Sequence, residues 1–150
     1  MPFTGSHPAA VLPLIRWGLP ASALVIGSMT PDLPYYLPMP VSAEVTHSWV
    51  GVIGVDVLLG AVAFIVWQAL VGPAVVAFSP DGLRRRLVVP VPSGLGYHVG
   101  QPRRVALAAV ALILGAATHV AWDSFTHRQM WGAEHVAWLA ESHGRRLGSS

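Results

Sequence analysis

The chain has 150 residues, 53% of them hydrophobic and only 11% charged, with a net charge of +2 and no cysteine. Soluble domains carry about 25% charged residues, so this composition, with a mean hydropathy of +0.56, points to a membrane protein. The absence of cysteine excludes disulfides and thiolate metal sites, and the small charge excess, with no aromatic-basic surface, excludes a nucleic-acid partner.

The N-terminus is not a secretory signal, because no basic segment precedes the first apolar run and Pro2, Pro8 and Pro13 interrupt it. Ser6 with Pro8 just inside marks a helix start. Residues 9–15 are apolar up to Arg16, and residues 20–29 form a second apolar run. Ten helical residues reach about 15 Å, half a bilayer, which suits a re-entrant or interfacial helix better than a span. The alternative is one kinked span over 8–29 with Arg16 snorkelling. Thr30-Pro31-Asp32 reads as a stop, and residues 33–41 as an interfacial loop anchored by Tyr35 and Tyr36.

The first clear span covers 48–70, broken only by Asp56 and Gln68, and Val71-Gly72-Pro73 should end or kink it. Asp56 lies nine residues beyond His47 and faces the opposite way on a helix, so it should pair with Arg16 or line a polar cavity. The second span covers 105–122. Between them, Arg84, Arg85, Arg86, Arg103 and Arg104 mark the 71–104 loop as cytoplasmic. The expected architecture is therefore all-α: one membrane-embedded domain over 1–150, with two spans and an N-terminal kinked or re-entrant helical hairpin, in the inner (cytoplasmic) membrane.

The chemistry concentrates where the second span ends. Seventeen of the eighteen residues over 105–122 are apolar, Gly, Ala or Thr, and His119 is the exception. His119, Asp123 and His127 are spaced i, i+4, i+8. At about 100° per residue, eight steps overshoot two turns by only about 80°, so the three share one stripe. Ionisable groups next to hydrocarbon are costly and are functional candidates by default. Antiparallel spans bring His47, before the first span, to the same non-cytoplasmic face, and an N-terminal hairpin would return His7 and Asp32 there. His98, in the Arg-rich loop, falls on the other side.

Each residue also has an ordinary reading. His119 and Asp123 could hydrogen-bond to each other at a helix end. His47 could be an interfacial polar residue, His7 an exposed first-turn residue and Asp32 a turn former. His127, beside Arg128, could continue a solvated helix, as could His135 and His143.

The segments MPFTGSHPAAVLP, SALVIGSMTPDLPYY, VTHSWVG and THVAWDSFTH resemble a family of uncharacterised bacterial integral membrane proteins. That family is similar to the predicted membrane-bound metal-dependent hydrolases of the LexA-regulated inner-membrane type, and distantly to zinc-dependent phospholipase C. The resemblance implies metal ligation by His7, Asp32, His47, His119 and Asp123, with His127 as a further candidate. It also implies apolar segments after WGAEHVAWLAE that this sequence lacks, so the chain is expected to be short at its C-terminus.

Mixed His and carboxylate ligation suits Zn, Mn or Fe, with Zn preferred. The expected activity is metal-assisted hydrolysis of an amphiphilic ester or phosphoester drawn from the lipid bilayer. Asp32 or Asp123 would act as catalytic base, and Thr46 and Thr118 would orient the imidazoles. Two other classes stay open: a transport component relaying protons or metal through Asp56, His47 and Asp123, and a non-catalytic protein stapled by a structural metal. Nothing in the sequence fixes an oligomeric state.

Overall fold

The computed structural model describes residues 6–88 and 94–126. Helices and turns alone build the described residues. Helix α1 (His7–Val11) starts with Pro8 in its first turn and runs into a 3-10 segment, Leu12–Trp17. Gly18 ends that segment in a left-handed conformation (φ 74°) that an L side chain rarely adopts. The chain turns there and comes back as α2 (Ala21–Met29), which packs on α1. Pro31 cannot donate a backbone hydrogen bond, and α2 gives way to a 3-10 turn, Thr30–Asp32. Three short helices follow: α3 (Leu33–Tyr36), α4 (Ala43–Thr46) and α5 (Trp49–Ile53).

The first long helix differs from expectation at both ends. Ser48 caps α5, its hydroxyl accepting from Gly51 N at 3.0 Å, and Gly54 (φ −111°, ψ −91°) breaks the helix before α6 (Val55–Val66) begins. At the far end Pro73 does not stop the chain. A π-helical turn, Trp67–Val71, with Gly72 N donating to the Trp67 carbonyl, precedes the proline, and α7 (Gly72–Phe78) continues with Pro73 in its first turn. The apolar helix is thus Val55–Phe78, 24 residues long, instead of 48–70. Helix α8 (Asp81–Val88) carries Arg84, Arg85 and Arg86, with Arg84 paired to Asp81, and α9 (Leu95–His98) follows. The last helix, α10, runs Pro102–Thr126 and contains the expected second span.

Two helices are therefore long and apolar enough to cross a membrane, Val55–Phe78 and Pro102–Phe125. The first is mostly uncovered, with Leu58, Val62, Ile65, Leu70 and Phe78 all exposed. The second is the central element and packs most extensively on α2. Val11, Ala23, Leu24, Phe64, Ala111 and Leu112 form the core between them. Two glycines set the α2–α10 distance. A Cβ on Gly27 would run into the backbone of Leu112, and one on Gly115 into the Leu24 carbonyl and, at 2.7 Å, Ser28 N. Small residues at a helix crossing let backbones approach this closely. The close crossing is what positions the site described next.

Candidate metal centre

Five of the six residues singled out by sequence meet at one end of α10. His119 and Asp123 lie one turn apart on α10, His7 opens α1, Asp32 closes the turn after α2, and His47 caps α4. His7, Asp32, His119 and Asp123 are buried, while His47 is partly exposed at the rim. His127 lies outside the described residues, as do His135 and His143.

Local structure fixes both imidazoles that matter most. His119 Nδ1 lies 2.7 Å from the Ser28 carbonyl, and His47 Nδ1 lies 2.9 Å from the Ala43 carbonyl. A carbonyl can only accept, so each Nδ1 carries a proton and donates it. In the neutral ring the lone pair then sits on Nε2. The Gly27–Gly115 crossing brings Ser28 within reach of His119, one turn beyond Gly115. The Thr46 hydroxyl, fully buried, lies 2.7 Å from the Pro31 carbonyl and ties the His47 turn to the Asp32 turn. It also lies 3.3 Å from His47 Nδ1, so Thr46 helps orient that ring. Thr118 does not fill the corresponding role for His119. Its hydroxyl donates back to the Gly115 carbonyl at 2.7 Å, one turn up its own helix.

The two Nε2 atoms face each other at 3.3 Å. Asp32 Oδ1 lies 3.4 Å from each of them. Asp123 Oδ2 lies 3.5 Å from His47 Nε2 and 3.3 Å from His119 Nε2. These are two nearly equilateral triangles sharing the His47–His119 edge. An ion with bonds of about 2.0–2.1 Å and tetrahedral angles holds its donors about 3.3–3.4 Å apart, the spacing found here. Charge-assisted hydrogen bonds would instead close to about 2.7–2.9 Å. Ring orientation agrees. The His47 and His119 rings are 5.2 Å apart at 72°; with each centroid about 3.2 Å from a bound ion, they subtend about 110° there.

His7 joins the cluster differently. Its Nε2 approaches the other carboxylate oxygen, Asp123 Oδ1, at 3.6 Å, and its ring stacks on His119 with centroids 3.7 Å apart and planes at 21°.

The charges follow from this packing. Burial opposes the charged form of His47, but the carboxylates of Asp123 and Asp32, at 3.5 and 3.4 Å, more than offset it and raise its pKa to about 10. Without an ion, protons hold the two carboxylates and the rim imidazole together. The phenol of Tyr35, whose ring lies 5.9 Å from His47, is pushed up by partial burial and by the negative charge of Asp32, Asp123 and Glu44.

Two further polar groups lie inside the protein. Asp56, in the first turn of α6, is buried within electrostatic reach of His47 and His119. Neither of its oxygens has a hydrogen-bond partner among the described residues, and the expected pairing with Arg16, which is exposed, is not formed. His98 packs against Phe64 and Tyr97, and burial together with the nearby Arg104 lowers its pKa, which keeps it neutral. The Ser28 and Ala43 carbonyls were not legible in the sequence, because any residue supplies a carbonyl. The nearest signal was the pairing of Gly27 with Gly115 on two apolar helices.

A family profile described as "Domain of unknown function (DUF4184)" matches residues 1–149. No curated protein and no solved structure matches the chain.

Proposed function

The chain belongs to the DUF4184 family, and from the geometry of its His/Asp cluster we propose that it is a multi-pass inner-membrane protein with a divalent-metal centre that hydrolyses an amphiphilic ester or phosphoester. The observation that carries the metal reading is the convergence of two Nε2 lone pairs and two carboxylates at 3.3–3.5 Å. Four acceptors around one point repel one another unless protons or a metal cation sit among them, and two carboxylates offset the double charge of a divalent ion. A donor set of imidazole and carboxylate suits Zn first, then Mn or Fe. Such a cation supplies Lewis acidity: it polarises a carbonyl or phosphoryl oxygen and brings the pKa of a water towards about 7.

The chain's own residues do the rest. Ser28 and Ala43 fix the tautomers of His119 and His47, and Thr46 locks the Asp32 and His47 turns together. Asp32 turns Oδ1 to His47 and His119, while Asp123 turns both oxygens to imidazoles, so Asp32 is the carboxylate that would take a proton from a water at the centre. Membrane insertion through Val55–Phe78 and Pro102–Phe125, with the Arg-bearing loop cytoplasmic, sets the centre at the opposite interface. The 7–29 segment then dips as a short re-entrant hairpin, and the exposed Tyr35 of α3 lies beside the rim where an amphiphile would enter.

The test is turnover of short-chain ester and phosphoester panels by the purified protein in detergent. Activity should vanish with chelator and return with divalent metal. In Asp123→Asn it should be lost while the protein still inserts, because the amide keeps the shape and loses the charge. A metal-loaded protein inactive on every panel would favour a second reading, a structural staple. That reading is supported by the way the cluster joins four chain segments that are separate in sequence.

A further inference from the structure

The orientation of His7 does not fit a single shared ion. An imidazole bonds a metal along a lone pair in its ring plane, so two histidines on one ion need planes that meet at that ion. The His7 and His119 rings have centroids 3.7 Å apart and planes tilted by only 21°, so planes stacked this closely to parallel intersect on the order of 10 Å away. An ion bound to His119 lies about 3 Å from its ring centroid, well short of that line. The His47 and His119 planes, at 72°, meet without difficulty. Meanwhile Asp123 faces two ways: Oδ2 towards His47 and His119, Oδ1 towards His7 Nε2 at 3.6 Å. Donors 3.6 Å apart subtend about 120° at an ion with bonds of about 2.1 Å, which is an ordinary ligand angle.

We propose that the cluster holds two divalent cations bridged by the Asp123 carboxylate, one among Asp32, His47, His119 and Asp123 Oδ2, the other on His7 and Asp123 Oδ1. The proposal rests on the metal reading above and deepens it. Two cations held by Asp32, His47, His119, Asp123 and His7 would supply positive charge to both the attacking and the leaving oxygen of an in-line displacement, which favours a phosphoester over a carboxylic ester as the substrate class. With two proposed protein donors against four, the second position would be the weaker one, filled last and completed by water or by a phosphoryl oxygen.

Metal stoichiometry decides the matter. The full chain, purified in detergent and stripped, is titrated with Mn2+, and bound metal is counted while the electron paramagnetic resonance spectrum is followed. The expected result is two ions per chain, a tight one and a weaker one. The second should bring in an exchange-coupled spectrum whose hyperfine spacing is half that of an isolated Mn2+. His7→Ala should bind one ion and show the isolated spectrum throughout. One ion in the wild type, two uncoupled ions, or two ions retained in His7→Ala would each overturn the pair while leaving a metal centre standing. No ion at all would sink both this inference and the metal reading. The coupled spectrum is read on the wild type, so a His7→Ala protein that fails to fold does not shield the inference.

Discussion

Metal affinity should depend on pH in a range where ordinary histidines are silent. In the ion-free protein His47 titrates at about 10, because Asp123 and Asp32 more than offset the burial of its ring. An ion that takes its Nε2 must therefore displace a proton at neutral pH. Each pH unit below that value lowers the apparent affinity about tenfold from this group alone, or about 1.4 kcal/mol. Between pH 7 and 8.5 the affinity for Zn2+, measured by competition with a chelating indicator, should rise about thirtyfold or more. A histidine at the ordinary 6.5 would be almost fully deprotonated over that interval and contribute little. Calorimetry in buffers of different ionisation enthalpy should show proton release on binding. The folded-state pKa is raised above the unfolded one, so His47 also stabilises the ion-free protein. That contribution is fully present below about pH 6.5 and lost as pH rises through about 10. Affinity that is flat from pH 7 to 8.5, with no proton released, would refute the reasoning. It would mean that His47 is not a ligand or is not held protonated by the carboxylates.

Other consequences are testable by substitution. Gly115→Ala places a methyl group against Leu24 and Ser28, whose carbonyl orients His119, so metal affinity should fall about 10- to 100-fold. Leu58→Ala on the exposed face of α6 should leave affinity unchanged, and equal effects from the two would break the link from helix crossing to site. Thr46→Val removes the hydroxyl that joins the Asp32 and His47 turns and takes its hydrogen bond from the buried Pro31 carbonyl, which should lower stability by about 1–3 kcal/mol and weaken metal binding with it. The chain has no cysteine, so single cysteines at Ser42 and Gly82 can be probed with a membrane-impermeant maleimide. They should label from opposite sides of the membrane, and labelling from one side would overturn the proposed topology.

The parts of this architecture that could be read from sequence are those with local causes. The i, i+4 pair His119 and Asp123 needs only helical periodicity, and two long apolar helices need only length and composition. The ends of the first helix were misplaced because Gly54 breaks an apolar run that composition treats as continuous, and because a π-turn lets the chain pass Pro73. His7, Asp32 and His47 carry no local signal at all. Their meeting with His119 spans tens of residues and is created by two glycines at a helix crossing and one threonine between two turns. The expected antiparallel spans and N-terminal hairpin bring them to one membrane face, but no spacing rule singles them out as ligands. Asp56 shows the converse: helical phase relative to His47 places it away from the site, but the helix breaks at Gly54 and the buried carboxyl still feels the charge of both imidazoles.

The central claim is that the cluster binds a divalent cation, and elemental analysis of the purified protein tests it most directly. Wild-type protein prepared without added chelator should carry at least one equivalent of a transition metal, Zn above all. His119→Ala, which removes one of the two imidazoles shared by both ligand triangles, should carry a small fraction of that while remaining folded by circular dichroism. Wild-type protein free of metal, and unable to take it up on reconstitution, would contradict the account. So would His119→Ala protein retaining the full wild-type complement.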